Sequence, residues 1–280
     1  VAIFNRDRQM TEKLYAEVIG DPIAHSKSPV IHGFWLDALG IDADYRKTHV
    51  TAAALADFVR DRRDDPVWRG CNVTVPHKIA ALDLIEDRGD VRGSIGAINT
   101  IVRADDGALI GTNTDAAGFY AALGDTNLAG APVTVIGSGG AARAVLFALS
   151  RIGVGPVTIL ARSPLKGAAL LALFGLKGDA LPIPAVAPPA ALLVNATTLG
   201  MVGQPPLDLD LGALPDDAVV YDIVYAPLET PLLKAARKRD LATIDGLEML
   251  VGQAAVAFEL FFDAAPPRDR DDELRALLTS

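Results

Sequence analysis

The sequence predicts an α/β fold in two domains, the second of them a doubly wound sheet. Three observations carry that prediction. Short apolar runs alternate with longer helix-period stretches along most of the chain, the pattern of strands covered by helices. From Val133 onward the alternation tightens to the spacing of a doubly wound sheet. The chain has 280 residues, 50% apolar and 22% charged, enough for one barrel or two domains, and the order of motifs chooses between them.

In chain order, strand-like runs are expected at Tyr15 to Ile19 and Tyr45 to Val50, flanking a helix from Pro29 to Leu39. A helix around Ala52 to Arg60 follows, then a strand through Cys71 to Val75 and a helix from about His77 to Ile85. Ala97 to Arg103 and Ala108 to Thr112 read as a hairpin, with Asp105, Asp106 and Gly107 as its turn. A helix around Ala116 to Leu123 leads to Gly130, Ala131 and Pro132, and the change of domain is placed near Asp115.

The second half reads as strand Val133 to Ile136, helix Ala141 to Ile152, strand Val157 to Leu160 and helix Lys166 to Phe174, then strands Leu192 to Asn195 and Val219 to Ile223. Leu181 to Pro189, rich in proline and alanine, reads as a surface connection. Past Asp245, the residues Leu247, Leu250, Val251, Ala254, Ala257, Phe258 and Phe261 recur at helical spacing, and Asp271 to Leu278 begins a further helix. Residues 1–9 precede Met10 and read as an upstream extension outside the fold.

Composition excludes several functions. With 35 acidic and 26 basic side chains the formal charge is −9, which argues against a nucleic-acid partner, whose contact surface is net basic. No apolar stretch approaches the ~18 residues of a membrane span, and the amino terminus lacks the order of a secretory signal, so a cytoplasmic protein with no membrane partner is expected. Cys71 is the one cysteine and cannot form an internal disulfide; with four histidines it offers no zinc-like spacing, so no metal is expected. No G-x-x-x-x-G-K-[ST] loop occurs, which disfavours a phosphotransferase.

The apolar run Val133 to Ile136 passes into Gly137, Ser138, Gly139, Gly140, Ala141 and Ala142, and a helix follows. Strand, G-x-G-x-x-A and helix together make a dinucleotide fingerprint of the Rossmann type. Gly137 permits the tight turn, Gly139 removes a side chain that would block a pyrophosphate, and Ala142 keeps the helix close to the sheet. The start of the helix then offers amide donors and a favourable dipole to the phosphates. A protein using NAD is expected to carry an acid roughly 20 residues further on, at the end of the second strand. Ala161, Arg162 and Ser163 stand there instead. The planar fork of an arginine suits the 2′-phosphate of NADP, with Lys166 adding charge, so NADP is the expected cofactor. Alternatively, Arg162 is a solvated residue at a strand end.

In the first half, Ser28 before Pro29 reads as a helix N-cap followed by proline at the first helical position. That leaves Ser26 unexplained, and two hydroxyls beside a helix start also suit a polyhydroxy or carboxylate ligand. Asn72 and Thr74 share one face at a strand's carboxyl end, where open α/β sheets bind ligands. Lys78 follows in what reads as a first helical turn, where the dipole mildly disfavours a cation. Asp115, after Asn113 and Thr114, reads either as a helix cap or as a site residue at the domain change.

Together these segments resemble the shikimate dehydrogenase family. The resemblance runs through Gly20-Asp-Pro-Ile-Ala-His-Ser-Lys-Ser-Pro29, Asn72-Val-Thr-Val-Pro-His-Lys78, Gly96-Ala-Ile-Asn-Thr100 and Asn113-Thr-Asp115. It continues through Gly137-Ser-Gly-Gly-Ala141, Asn195-Ala-Thr-Thr198 and Asp245-Gly-Leu-Glu-Met249. It covers about Tyr15 to Phe262 and implies reversible reduction of 3-dehydroshikimate to shikimate with NADPH, in aromatic amino-acid biosynthesis. The implied architecture is a substrate domain of residues 10–114 and 246–280, its carboxyl-terminal helices returning to the first half, and a Rossmann-type NADP domain of residues 115–245.

By motif position, the resemblance makes Lys78 the proton-transfer residue and Asp115 its partner at the same substrate hydroxyl. Ser26 and Ser28 would hold the substrate carboxylate, and Asn72, Thr74, Asn99, Tyr225 and Gln253 its carboxylate or hydroxyls. The cofactor would meet Gly137, Ser138, Gly139, Gly140 and Ala141, with Arg162, Ser163 and Lys166 at the 2′-phosphate, Thr197, Ile223 and Gly246 near the nicotinamide, and Asp90 as a further contact. The chain departs from the family pattern at Ala161, where asparagine is usual, at Glu248, where glycine is usual, and at Ala116 after Asp115. The alternatives are a quinate/shikimate dehydrogenase of broader specificity, or a nucleotide-binding sensor without turnover. A monomer or homodimer is expected.

Overall fold

The computed structural model describes residues 13–280; the upstream extension expected at residues 1–9 lies outside the described residues. Two sheets organise the chain. In the first, β1 (Leu14–Gly20), β2 (Ala43–His49) and β3 (Trp68–Val73) are parallel, and β4 (Thr100–Arg103) and β5 (Leu109–Thr112) add an antiparallel hairpin, in the order β2-β1-β3-β4-β5. All of β1 after Leu14 is buried, as befits an inner parallel strand covered on both faces. Helices α1 (Ser28–Leu39), α2 (Leu55–Arg63) and the short α3 (Val91–Ser94) connect these strands.

The second sheet is parallel throughout. It contains β6 (Val133–Ile136), β7 (Val157–Leu160), β8 (Gly178–Leu181), β9 (Leu192–Asn195), β10 (Val219–Asp222) and β11 (Ala242–Ile244), in the order β11-β10-β9-β6-β7-β8. Counted within this half, that is the 3-2-1-4-5-6 order of a dinucleotide-binding sheet, with its switch point between β6 and β9. Strands β6 and β9 are buried along their whole length. Helices α5 (Gly140–Ile152), α6 (Pro164–Phe174) and α7 (Pro231–Arg237) belong to this half.

The chain passes between the sheets at α4 (Asp115–Leu123) and returns at α8 (Gly246–Phe262), and the two helices cross at Gly118 and Gly252. A methyl group on Gly118 would stand 2.6 Å from the Gln253 nitrogen and 2.7 Å from the Met249 oxygen, so the backbones themselves are in contact. Further along α8, Phe258 and Phe261 bury against Ile31 and Trp35 of α1, and α9 (Asp271–Thr279) adds Leu274 and Leu278 to the same core. The carboxyl-terminal helices therefore complete the first half.

The expected helix from His77 to Ile85 is replaced by a turn followed by a 3-10 helix, Ala80–Leu84. The Lys78 carbonyl accepts the Ile98 N–H at 2.8 Å, which withdraws it from a helical ladder, and the Leu82 N–H turns to Ile79 at 3.2 Å. The first hairpin strand begins at Thr100 rather than Ala97 for the same reason: Ile98 bonds outside the ladder. Elements not anticipated include the four-residue α3; β8, an edge strand opening on Gly178 and Asp179; β11, three residues long; and α7. Thr230-Pro231 signals α7, since Thr230 caps it by accepting from the Leu233 N–H at 3.2 Å. Among the described residues no helix is long and apolar enough to cross a membrane.

Candidate active site between the two sheets

A cavity of about 250 Å³ lies where the carboxyl ends of both sheets face each other. From the first half, Ser26, Ser28, Asn72, Thr74, Lys78 and Asn99 line it. From the crossovers come Asp115 and Gln253, from the start of α5 comes Ala141, and from the loops of the second half come Thr197, Ile223 and Tyr225, with Gly246 at the start of α8. The loop after β1 delivers the serines, the end of β3 delivers Asn72 and Thr74, and the turn after β3 delivers Lys78.

The centre is an ion pair. Lys78 Nζ donates to Asp115 Oδ2 at 2.5 Å, and the two side chains are only 13% and 7% exposed. Asp115 does not cap its helix. Asn113 Oδ1 accepts the Asp115 N–H at 3.0 Å instead, which frees the carboxylate. Its other oxygen accepts from Asn99 Nδ2 at 2.9 Å, so both carboxylate oxygens are fixed. Asn99 in turn accepts the Thr114 N–H at 2.7 Å, and its amide nitrogen lies 3.2 Å from Gln253 Oε1. An ammonium has three donors. Among the described residues Asp115 is the one hydrogen-bond partner of Lys78 Nζ, which leaves two donors for a ligand.

The expected N-cap at Ser28 is corrected. Ser28 is the first residue of α1, and Ser26 Oγ accepts the Ser28 N–H at 3.3 Å, so Ser26 shapes the local turn. Ser28, buried, lies beside the Tyr45 hydroxyl. That hydroxyl donates to Asn72 Oδ1 at 2.5 Å, while Asn72 Nδ2 donates to Thr100 Oγ1 at 3.0 Å. Burial holds the Tyr45 phenol well above its ordinary pKa, so it stays a donor. Behind it His32 is stacked on the Tyr45 ring at 3.8 Å between centroids. His32 is fully buried, both ring nitrogens lack partners among the described residues, and burial lowers its pKa to about 3.

On the other side of the cavity a buried carboxylate fixes two loops. Asp222 Oδ1 accepts from Asn195 Nδ2 at 2.9 Å and from the Val224 N–H at 3.0 Å, and Oδ2 accepts from Thr230 Oγ1 at 2.7 Å. Burial raises the Asp222 pKa against those three hydrogen bonds. Asn195 Oδ1 accepts from Thr197 Oγ1 at 2.7 Å, so Thr197 and the segment with Ile223 and Tyr225 are set by one group.

The glycine loop fits a dinucleotide. Gly137 has φ +119°, open to glycine, and its N–H donates to Leu160 at 2.8 Å. Nothing lies within 4 Å of where a Gly139 side chain would project, and α5 begins with no side-chain cap, so its first amides remain open to an anion. Ser138 lies in the same loop, and Gly140 opens α5. Arg162, Ser163 and Lys166 follow β7, which pairs with β6, so their loop neighbours the glycines. Arg162 and Lys166 are exposed and make no ion pair among the described residues.

Asp90 is not among the residues that line the cavity. It is exposed with φ +50°, and its carboxylate folds over Gly93 in the first turn of α3, a position the helix dipole favours for an anion. Sequence reasoning missed other groups at the cavity. His25, Met201 and Met249 line it, and Tyr45 stands behind Asn72. His25 and Met249 lay within quoted motifs; Met201 and Tyr45 carried no local signal.

Residues 18–101 match the family model for the shikimate dehydrogenase substrate binding domain, and residues 246–271 match that for the shikimate 5′-dehydrogenase C-terminal domain. A protein of Sphingopyxis alaskensis named shikimate dehydrogenase (NADP(+)) is 68% identical over 266 residues, 95% of this chain and 97% of that one. The chain belongs to the shikimate dehydrogenase family. Among solved structures, shikimate 5-dehydrogenase from Thermus thermophilus, in complex with NADP(H) and shikimate, superposes with a TM-score of 0.84 at 37% identity, covering 95% of this chain and 99% of that one. Quinate dehydrogenase from Corynebacterium glutamicum, in complex with NAD, gives 0.82 at 30% identity over 94% and 99%. The fold is thus that of a two-domain shikimate dehydrogenase.

Proposed function

We propose that this chain interconverts 3-dehydroshikimate and shikimate with NADP as the redox partner, as an oxidoreductase acting on a CH–OH group. The observation that carries the reading is the Lys78–Asp115 pair at 2.5 Å, facing a cavity shared by the loops of a nucleotide-type sheet. The Thermus relative, solved with both NADP(H) and shikimate, supports the choice of substrate and cofactor.

Reducing a ketone builds negative charge on its oxygen, so a proton donor is needed within about 3 Å. Lys78 is that donor. Its Nζ keeps two hydrogens free of Asp115, enough to hold the substrate oxygen and to give up a proton. In the reverse direction the neutral amine takes the hydroxyl proton. Asp115, gripped by Asn99 and Asn113, fixes where Nζ stands and holds the same hydroxyl. Ser26 and Ser28 bind the substrate carboxylate, and Asn72, Thr74, Asn99, Tyr225 and Gln253 bind its remaining oxygens. When bound, NADPH supplies the hydride. The open amides of the glycine loop hold its pyrophosphate, Arg162, Ser163 and Lys166 read its 2′-phosphate, and Thr197, Ile223 and Gly246 border its nicotinamide.

In this reading the substrate domain comprises residues 10–114 and 246–280 and the NADP domain residues 115–245. A cytoplasmic location and a monomer or homodimer complete it.

Lys78→Ala is expected to lower kcat by about 10²-fold or more with little change in the KM for shikimate, the mark of an interaction used in the transition state. The measurement is a spectrophotometric assay with shikimate and quinate, each against NADP and NAD. Undiminished turnover by the variant removes Lys78 from the mechanism, and a higher kcat/KM for quinate or for NAD overturns the choice of substrate or cofactor.

A further inference from the structure

Helix α5 presents Gly140, Arg143 and Phe147 at i, i+3 and i+7, one stripe along its length. All three meet the first half of the molecule. A methyl group on Gly140 would stand 3.1 Å from Lys78 Cβ and 3.3 Å from its Cδ, so the aliphatic stem of Lys78 lies on this glycine. Gly139, its neighbour, faces open space. Two adjacent glycines thus serve different ends, one leaving room for a ligand and the other for a side chain. Arg143 Nη1 donates to the Ile95 carbonyl at 3.3 Å and covers Gly96, where a Cβ would lie 2.4 Å from that nitrogen. Gly96 has φ +71°. Phe147 packs against the core of each half.

The receiving segment is bonded to the ion pair. Ile98, two residues past Gly96, donates its N–H to the Lys78 carbonyl at 2.8 Å, and Asn99 beside it holds Asp115. Arg143 has no carboxylate partner among the described residues, and its Nε is buried without a partner. Burial also lowers its pKa. A cation in the first turn opposes the helix dipole. Nothing within its own half therefore favours an arginine there, whereas its contact across the cleft reaches the segment that carries Asn99.

We propose that Arg143 is a positioning residue: with Gly140 and Phe147 it seats the glycine loop of α5 against Lys78 and the 95–99 segment, fixing the proton donor relative to the cofactor side. This rests on the reading of Lys78 given above. A misplacement of about 1 Å between reacting partners can cost 10²-fold in rate.

Arg143→Met, which keeps the stem, and Arg143→Gln, which keeps a donor and serves if the first does not fold, test it. Three quantities decide: kcat, the calorimetric Kd of shikimate for cofactor-free enzyme, and the Kd of NADP. The expected result is a kcat about tenfold lower with both Kd values within about twofold of wild type. Faster hydrogen exchange at the Ile98 amide of cofactor-free enzyme is expected alongside. A kcat within twofold of wild type while Lys78→Ala is inactive overturns the inference. So does a loss confined to NADP affinity, which would make Arg143 a phosphate ligand. Full activity of Lys78→Ala instead defeats the mechanism on which the inference rests, and the exchange measurement still reports on the contact itself.

Discussion

Tyr45 acts on the site without touching its cavity. Its hydroxyl is the donor that orients Asn72, so Tyr45→Phe leaves a buried amide oxygen without a partner at a cost of about 1–3 kcal/mol. The expected outcome is a KM for shikimate about 3- to 10-fold higher with the KM for NADP unchanged, read from steady-state kinetics. Equal values for both proteins would show that Asn72 holds its orientation unaided. His32, behind Tyr45, gives a pH effect with a definite sign. It faces Trp35, Tyr45, Phe258 and Phe261 and stays neutral down to about pH 3 when folded, while the unfolded chain takes up a proton below its ordinary value of 6.5. Between those values the unfolded state binds more protons, so stability falls as pH falls, by about 1.4 kcal/mol per pH unit from this residue. His32→Phe is expected to flatten the denaturation profile by that amount between pH 6.5 and 3. At this scale the sequence was legible for residues that meet at the cavity, as Lys78, Asp115 and Asn99 do. It was silent on Tyr45 and His32, which act through another side chain. It misplaced the helix start at Ser28, because which of two nearby hydroxyls closes a turn depends on backbone geometry.

Helices α4 and α8 depend on a missing side chain at their crossing. A Cβ on Gly118 would press on the backbone of Met249 and Gln253, which cannot rotate away. Gly118→Ala is expected to cost about 1–3 kcal/mol in chemical denaturation, as overpacking does, and to shift Gln253 against Asn99. A stability equal to wild type would mean the helices separate freely. Most elements were foreseen from periodicity and turn residues. The exceptions have physical causes: Lys78 leaves its helix because a distant N–H competes for its carbonyl, and β8 pairs only at an edge, where neighbouring strands rather than propensity hold Gly178 and Asp179 extended.

The whole molecule is two sheets joined by a tightly packed helix pair, with a core cluster that includes Phe119 and Leu123 of α4, Met249 of α8 and β6 of the nucleotide half. Calorimetry is expected to give one unfolding transition with calorimetric and van't Hoff enthalpies in agreement. Two resolved peaks would mean that the halves melt separately. The order of the second sheet was foreseeable from the glycine loop, but the return of α8 and α9 to the first sheet was supplied by family resemblance, since helical spacing does not say which core a helix joins.

The crossing of α4 and α8 has one more consequence. The stretch of polypeptide between them leaves the first half and comes back to it along two helices in mutual contact. The nucleotide-type sheet is accordingly inserted at two neighbouring attachment points, and any replacement for it would have to resupply what that stretch gives the cavity, Thr197 and Tyr225, together with the glycine on which the Lys78 stem rests.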